Sequence, residues 1–316
     1  MNAFIRALFD DASITGNQTA GLQDISTPAM KEAVREWFRL FFMRETVKET
    51  NEDPAQRIPY TITNKLTKAC FAEYDSSFTE NVTGKTAWLD RQRSRIDDIK
   101  QDVLQWVLVG GEAFLKPVPD GTGRIAYHVV RRDRYNVLAR GPLGITDVLM
   151  CEHSRAGSIF YTLLERRSVD GKGYLTIRYR LYASQDGLTI GNEVRLDSLP
   201  QYAHLAPEHT YSIPFGGLGM TYIRMPMVNN VDGSPDGVSV YEGAVQLIHN
   251  IYENEYQLGR EFELGRSRIV AGADMLTAPD PKGGVMKIKD DVFVGLDGDT
   301  SIGMTIFSPT LRDESF

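Results

Sequence analysis

The chain has 316 residues, of which 42% are hydrophobic and 24% charged, with a formal net charge of −7 and two cysteines. This composition supplies core material and excludes a globally disordered chain. It also excludes a protein held to nucleic acid by overall positive charge and a cysteine-built disulfide or zinc framework; no window reaches the ~18 apolar residues of a membrane span.

The opening, MNAFIRALFDDASITGN, is not a secretory signal, because its short apolar run is broken by Arg6 and followed by Asp10 and Asp11. A soluble, non-secreted protein is expected, with Cys70 and Cys151 as reduced thiols. The first helix is predicted from Thr27 as N-cap and Pro28 at the first helical position. Met30, Val34, Trp37, Phe38, Phe41 and Phe42 give it one heavy apolar face, read as core. After the polar break KETNEDPAQ, PYTITNKLTKACFAEY predicts a second helix with Ile62, Leu66, Ala69 and Cys70 on one face. A third helix is predicted over KTAWLDRQRSRIDDIKQDVLQWVLVGG, with Trp88, Ile96, Ile99, Val103, Trp106 and Val107 as its stripe. Gly110 and Gly111 stop it.

From Ala113 the hydrophobic period shortens. AFLKPVP, IAYHVV, YNVLAR, ITDVLMCEH, IFYTLLERR, YLTIRYRLYA and NEVRL read as strands. The turns DGTG, RGPLG, RAGS, DGKG and QDG between them predict a mostly antiparallel sheet reaching about Met225. MPMVNNVDGSPDG then reads as a linker. A helical pattern follows from Val240 to Arg268, roughly 43 Å of helix. Beyond it, short β pieces alternate with turns as far as a final polar stretch, TLRDESF.

Motifs that carry chemistry are sparse. FGGLGM lies between extended segments and lacks a Lys-Ser/Thr pair, so it reads as a glycine turn rather than a phosphate loop. His204 and His209 flank Pro207 and Glu208 at a spacing unsuited to a helical zinc site. Cys151 and His153 share a strand face without a third, orienting group. These residues assign no catalytic, cofactor or metal site, and the sequence does not argue for an enzyme.

The long helix raises a different question. Tyr241, Val245, Ile248, Tyr252 and Phe262 form an apolar stripe that asks for a partner helix, placing them as oligomer or helix-packing candidates. From Val240 to Gly259 the helix carries Glu242, Glu253 and Glu255 and no Lys or Arg. A membrane-surface helix would be basic on its polar face, so this one is not read as membrane-binding.

The order of these parts resembles the portal proteins of tailed bacteriophages, in the branch found in long-tailed phages and prophages of Gram-positive bacteria. RIPYTITNKLTKACFAE, LVGGEAFLKPVPDG, FYTLLERR, YLTIRYRLYAS and the run from MPMVNN to RSRIVAG carry the resemblance; Arg57–Glu73, Gly110–Pro117 and Asn229–Gly272 are its most specific pieces. It implies an α+β subunit. Residues 1–112 are the helical part of a wing, 113–228 a β-rich wing domain, 238–268 a stem helix and 269–316 a clip-like β segment. A second stem helix and a crown are expected outside these 316 residues. The resemblance further implies a ring, usually of about twelve subunits, at one capsid vertex of the virion, assembled in the host cytoplasm. Double-stranded DNA passes its channel without sequence readout, and the terminase large subunit, head-completion or adaptor proteins and scaffolding proteins dock on it. On this mapping Glu242, Glu253 and Glu255 face or flank the channel, where acidic groups let DNA slide because binding needs cations on phosphates. Lys282, Lys287 and Lys289 are candidates for DNA or motor contacts. Two other readings stand beside it: a non-catalytic adaptor using the long helix, and an enzyme with a β-rich substrate domain.

Overall fold

The computed structural model describes residues 23–42, 57–77, 84–119, 125–142, 144–187, 189–264, 268–272, 277–279, 285–287, 293–296 and 305–307. The fold is α+β, and the chain divides into two compact units, Met1–Val245 and Gln246–Phe316.

Among the described residues of the first unit, three helices precede the strands: α1 (Pro28–Phe42), α2 (Ile58–Cys70) and α3 (Lys85–Gly110). Thr27 caps α1 as its sequence demands: its hydroxyl accepts from the Met30 amide and its carbonyl from that of Lys31. Met30, Val34, Trp37 and Phe38 are buried along one face. α3 ends at Gly110, and Gly111 takes the left-handed conformation (φ 79°) that closes a helix without a Cβ penalty.

Nine strands follow among the described residues. β1 (Glu112–Pro119), β2 (Ile125–Arg131) and β9 (Thr221–Arg224) form a small antiparallel sheet in the order β2-β1-β9. β3 (Tyr135–Gly141), β4 (Gly144–Ala156), β5 (Ile159–Val169), β6 (Leu175–Ser184) and β7 (Asn192–Val194) form a larger one in sequence order, with β8 (Glu208–Thr210) also pairing β6. The layers are helices, small sheet, large sheet. α3 covers one face of the small sheet, where Arg95 donates to the Ile125 carbonyl at 2.8 Å. The other face carries Phe114, which packs on Tyr135, Val137, Val148 and Met150 of the large sheet. A second cluster, Leu163, Leu181, Leu199 and Tyr202, forms where the Leu196–Tyr202 segment folds back on the large sheet.

The second unit contains most of α4 (Val245–Leu264) and short strands. β10 (Arg268–Gly272) pairs parallel with β13 (Phe293–Leu296) and antiparallel with β14 (Thr305–Phe307). β11 (Thr277–Pro279) and β12 (Val285–Lys287) pair antiparallel.

Four expectations need correction. The long helix has 20 residues and starts at Val245, not Val240. Residues 240–244 belong to the first unit: the Val240 amide donates to the Leu108 carbonyl, and Glu242–Ala244 is a tight 3-10 turn. On α2 the buried face is Pro59, Thr63 and Thr67, whereas Leu66 and Cys70 are exposed. The Thr63 hydroxyl satisfies itself on the Pro59 carbonyl at 3.0 Å, which lets this polar side chain go inward. On α3, Trp88 is 43% exposed, and Gln92 takes an inward place beneath Tyr127. Finally, Met225–Gly237 is no loose linker: Asn229 and Asp236 are buried, and the Asn229 amide donates to Asp232 and Ser234.

Candidate functional site

The stem candidates separate once placed. Tyr241 is buried in the first unit, its hydroxyl donating to the Trp37 carbonyl at 2.8 Å, so it is not a stripe residue. Glu242 is half-buried and accepts from the Trp37 indole of α1. Glu253 is exposed on α4 and Glu255 half-buried. Val245 and Tyr252 are half-buried and Ile248 is buried. The side chain of Phe262 lies outside the described residues, as do Lys282 and Lys289. Lys287 is the last residue of β12, opposite Thr277.

A site that sequence reasoning missed lies in the first unit. The small sheet has three strands and the large one a path of five, so the small sheet covers only part of the inner face. Where it stops, the inner face opens into a cleft of ≈ 730 Å³ between the Phe114 and Leu163 clusters, continued by a hollow of ≈ 380 Å³. Strand alternation sets the floor: Leu163, Glu165 and Arg167 project to the same side of β5, and Ile177 and Tyr179 project beside them from β6. Lys116 reaches across from β1, two residues beyond Phe114.

The floor is an ion trio. The Lys116 ammonium is 2.8 Å from Glu165 Oε2, and Arg167 Nε is 2.6 Å from Glu165 Oε1. Arg167 also donates to the carbonyls of Leu218 and Gly219. Burial pushes the Glu165 carboxyl up, but Lys116 and Arg167 outweigh it and hold it below the usual range. Burial, then Glu165 across the strands, raises the Tyr179 phenol. The signal for this site was in TLLERRSV, a strand whose inward face runs apolar, charged, charged, apolar.

Cys151 and His153 flank the smaller hollow. His153 Nε2 lies 3.3 Å from Cys151 Sγ, and Nδ1 is 3.2 Å from the Thr162 hydroxyl. Burial, assisted by Arg134, lowers the imidazole to about 4, and burial pushes the thiol up to about 12. The pair is neutral at pH 7, an unactivated thiol rather than a nucleophile. His204 and His209 are exposed, and His209 falls in β8. Among the described residues no group of three His, Cys, Asp or Glu side chains is placed to hold a metal ion, and no helix is long and apolar enough to cross a membrane.

A second polar constellation ties the chain between β9 and α4 to the core. Glu112, fully buried, accepts from the Gly237 amide and from the Tyr135 and Tyr222 hydroxyls. It lies 3.0 Å from Arg132, which also pairs with Asp236, itself paired with Arg140. Every buried charge here faces an opposite one, the condition for keeping such a network ionised. Its partners hold one another across the fold, which is a structural use of charge.

Comparison with known proteins finds no protein-family model that matches the chain and no curated protein that matches it.

Proposed function

We propose that the chain is a subunit of a phage portal, the ring at one capsid vertex through which DNA is packaged and ejected. The observation that carries the reading is the order of the parts. A helix-backed β unit ends at Val245, an amphipathic helix of 20 residues follows, and a small β module comes after it. This is the wing, stem and clip order that the resemblance implies. In this reading the subunit acts by assembly rather than catalysis, and buried charges such as Glu112 and Arg132 pair with each other to hold its fold. Leu247, 61% exposed, and Tyr256, 43% exposed, give α4 apolar surface available to a neighbouring subunit. Glu253 on the same helix is the remaining exposed candidate for a weakly repulsive channel wall. In this reading the terminase large subunit and the head-completion and scaffolding proteins are the partners, and the virion is the destination.

Light scattering of the purified protein, with negative-stain images of the same fraction, tests the reading. Rings with a central hole and a mass about twelve times that of one chain are expected. A monomer at all concentrations, both for these 316 residues and for any longer gene product that contains them, would overturn it.

A further inference from the structure

We propose that the cleft between the two sheets of the first unit binds a small anionic amphiphile, a molecule with one carboxylate-type head and an apolar or aromatic body. The inference stands apart from ring assembly, since it rests on the inner face of the β layers alone.

Space comes first. At ≈ 730 Å³ the cleft falls within the range of small-molecule sites. It exists for a topological reason, the mismatch between a three-stranded sheet and the longer sheet beneath it. The lining comes second. Leu163, Leu175 and Ile177 are core-like aliphatic residues that turn into the cleft, and Tyr179 and Phe215 add aromatic surface. An apolar body of about six to eight carbons would find continuous contact there.

Charge decides the head group. The floor holds two cations, Lys116 and Arg167, against one carboxylate, Glu165, and all three side chains are at most 11% exposed. A desolvated trio with one positive charge in excess favours an anion, because unpaired charge away from water is costly. The guanidinium of Arg167 is occupied by Glu165 and two carbonyls. The Lys116 ammonium has three N–H donors and gives one to Glu165, so it has donors left for a head group. The other carboxylate of the cleft, Glu152, is exposed and bonded by the Tyr202 hydroxyl, and water screens most of its field.

Isothermal titration of the full chain with octanoate and with its neutral counterpart octanamide tests the proposal. Octanoate is expected to bind one to one and ~10-fold more tightly than octanamide. Lys116→Gln is expected to abolish that preference while octanamide binding persists, and Glu165→Gln, which adds to the positive excess, to widen it. A purely structural Lys116 would move neither ratio. Equal binding of the two probes, no binding of either at millimolar concentration, or a folded Lys116→Gln protein that keeps the preference would overturn the proposal. Should Lys116→Gln fail to fold, Phe215→Glu at the half-open rim gives the same reading. Octanoate binding weakened ~3-fold or more supports the site, and unchanged binding overturns it.

Discussion

A methyl group placed on Gly237 would come within 2.3 Å of the Gly111 carbonyl oxygen, and one placed on Gly111 within 2.4 Å of the Gly237 carbonyl carbon. Two backbones cross there with no side chain between them. Neither can move without breaking the α3 terminus or the Glu112–Gly237 hydrogen bond. Gly237→Ala is therefore expected to cost about 3 kcal/mol through overpacking. Gly259, inside α4, is the opposite case: a methyl added there would meet nothing within 4 Å, and Gly259→Ala is expected to add up to about 1 kcal/mol of helix propensity. Urea melts of the two variants check both signs. His153 sets a pH window. Its imidazole is held near 4 in the fold against an ordinary value of 6.5, so between those pH values the unfolded chain binds a proton that the native chain does not. Stability should rise with pH across that window and be lost as pH falls from 6.5 towards 4, by about 1–3 kcal/mol for this group. His153→Gln should flatten that part of the stability profile, which melts at pH 4.5, 5.5 and 7 would read.

Among the elements, the segment 225–237 is the instructive case. Its Pro, Asn, Asp and Gly content reads as a flexible connection, and turn chemistry is what those residues supply. The fold uses the same polar groups as anchors instead, with Asn229 and Asp232 bonding within the loop and Asp236 and Gly237 reaching the Glu112–Arg132 pair. Arg132→Met leaves Glu112 and Asp236 buried without this cation and is expected to cost about 3–5 kcal/mol. Amide exchange over residues 229–240 should accelerate more than that of β4 or β5. The paired change Arg132→Met with Glu112→Gln should recover part of the loss, a coupling that a double-mutant cycle measures. α2 shows the opposite lesson. Its apolar residues Leu66 and Cys70 point outward, and burial there follows threonine, which period counting scores as polar.

For the molecule as a whole, the ring proposal places its weight on α4. Leu247 and Tyr256 are exposed within one chain, and lysine at both positions is expected to prevent ring formation while leaving the melting temperature of the first unit within about 2 °C. Gel filtration with light scattering reads the first outcome and calorimetry the second. A double variant that still forms rings would move the subunit contact elsewhere.

Local elements could be read along the chain before any fold was known. The cap at Thr27, the stop at Gly110–Gly111 and the seven strand segments from Glu112 to Val194 were legible because capping, left-handed glycine and period-2 alternation are properties of neighbouring residues. The α+β class followed from their order. Which distant residues meet emerged only in three dimensions. Tyr241 and Glu242 belong with α1 and not with the long helix, because Trp37 lies 205 positions from Glu242 and no local pattern pairs them. Lys116 and Glu165, 49 positions apart, close an ion trio where a small sheet fails to cover a larger one. Charge in a strand reads as solvent-facing until the opposite layer is known, and that layer is set by sheet packing rather than by sequence neighbours.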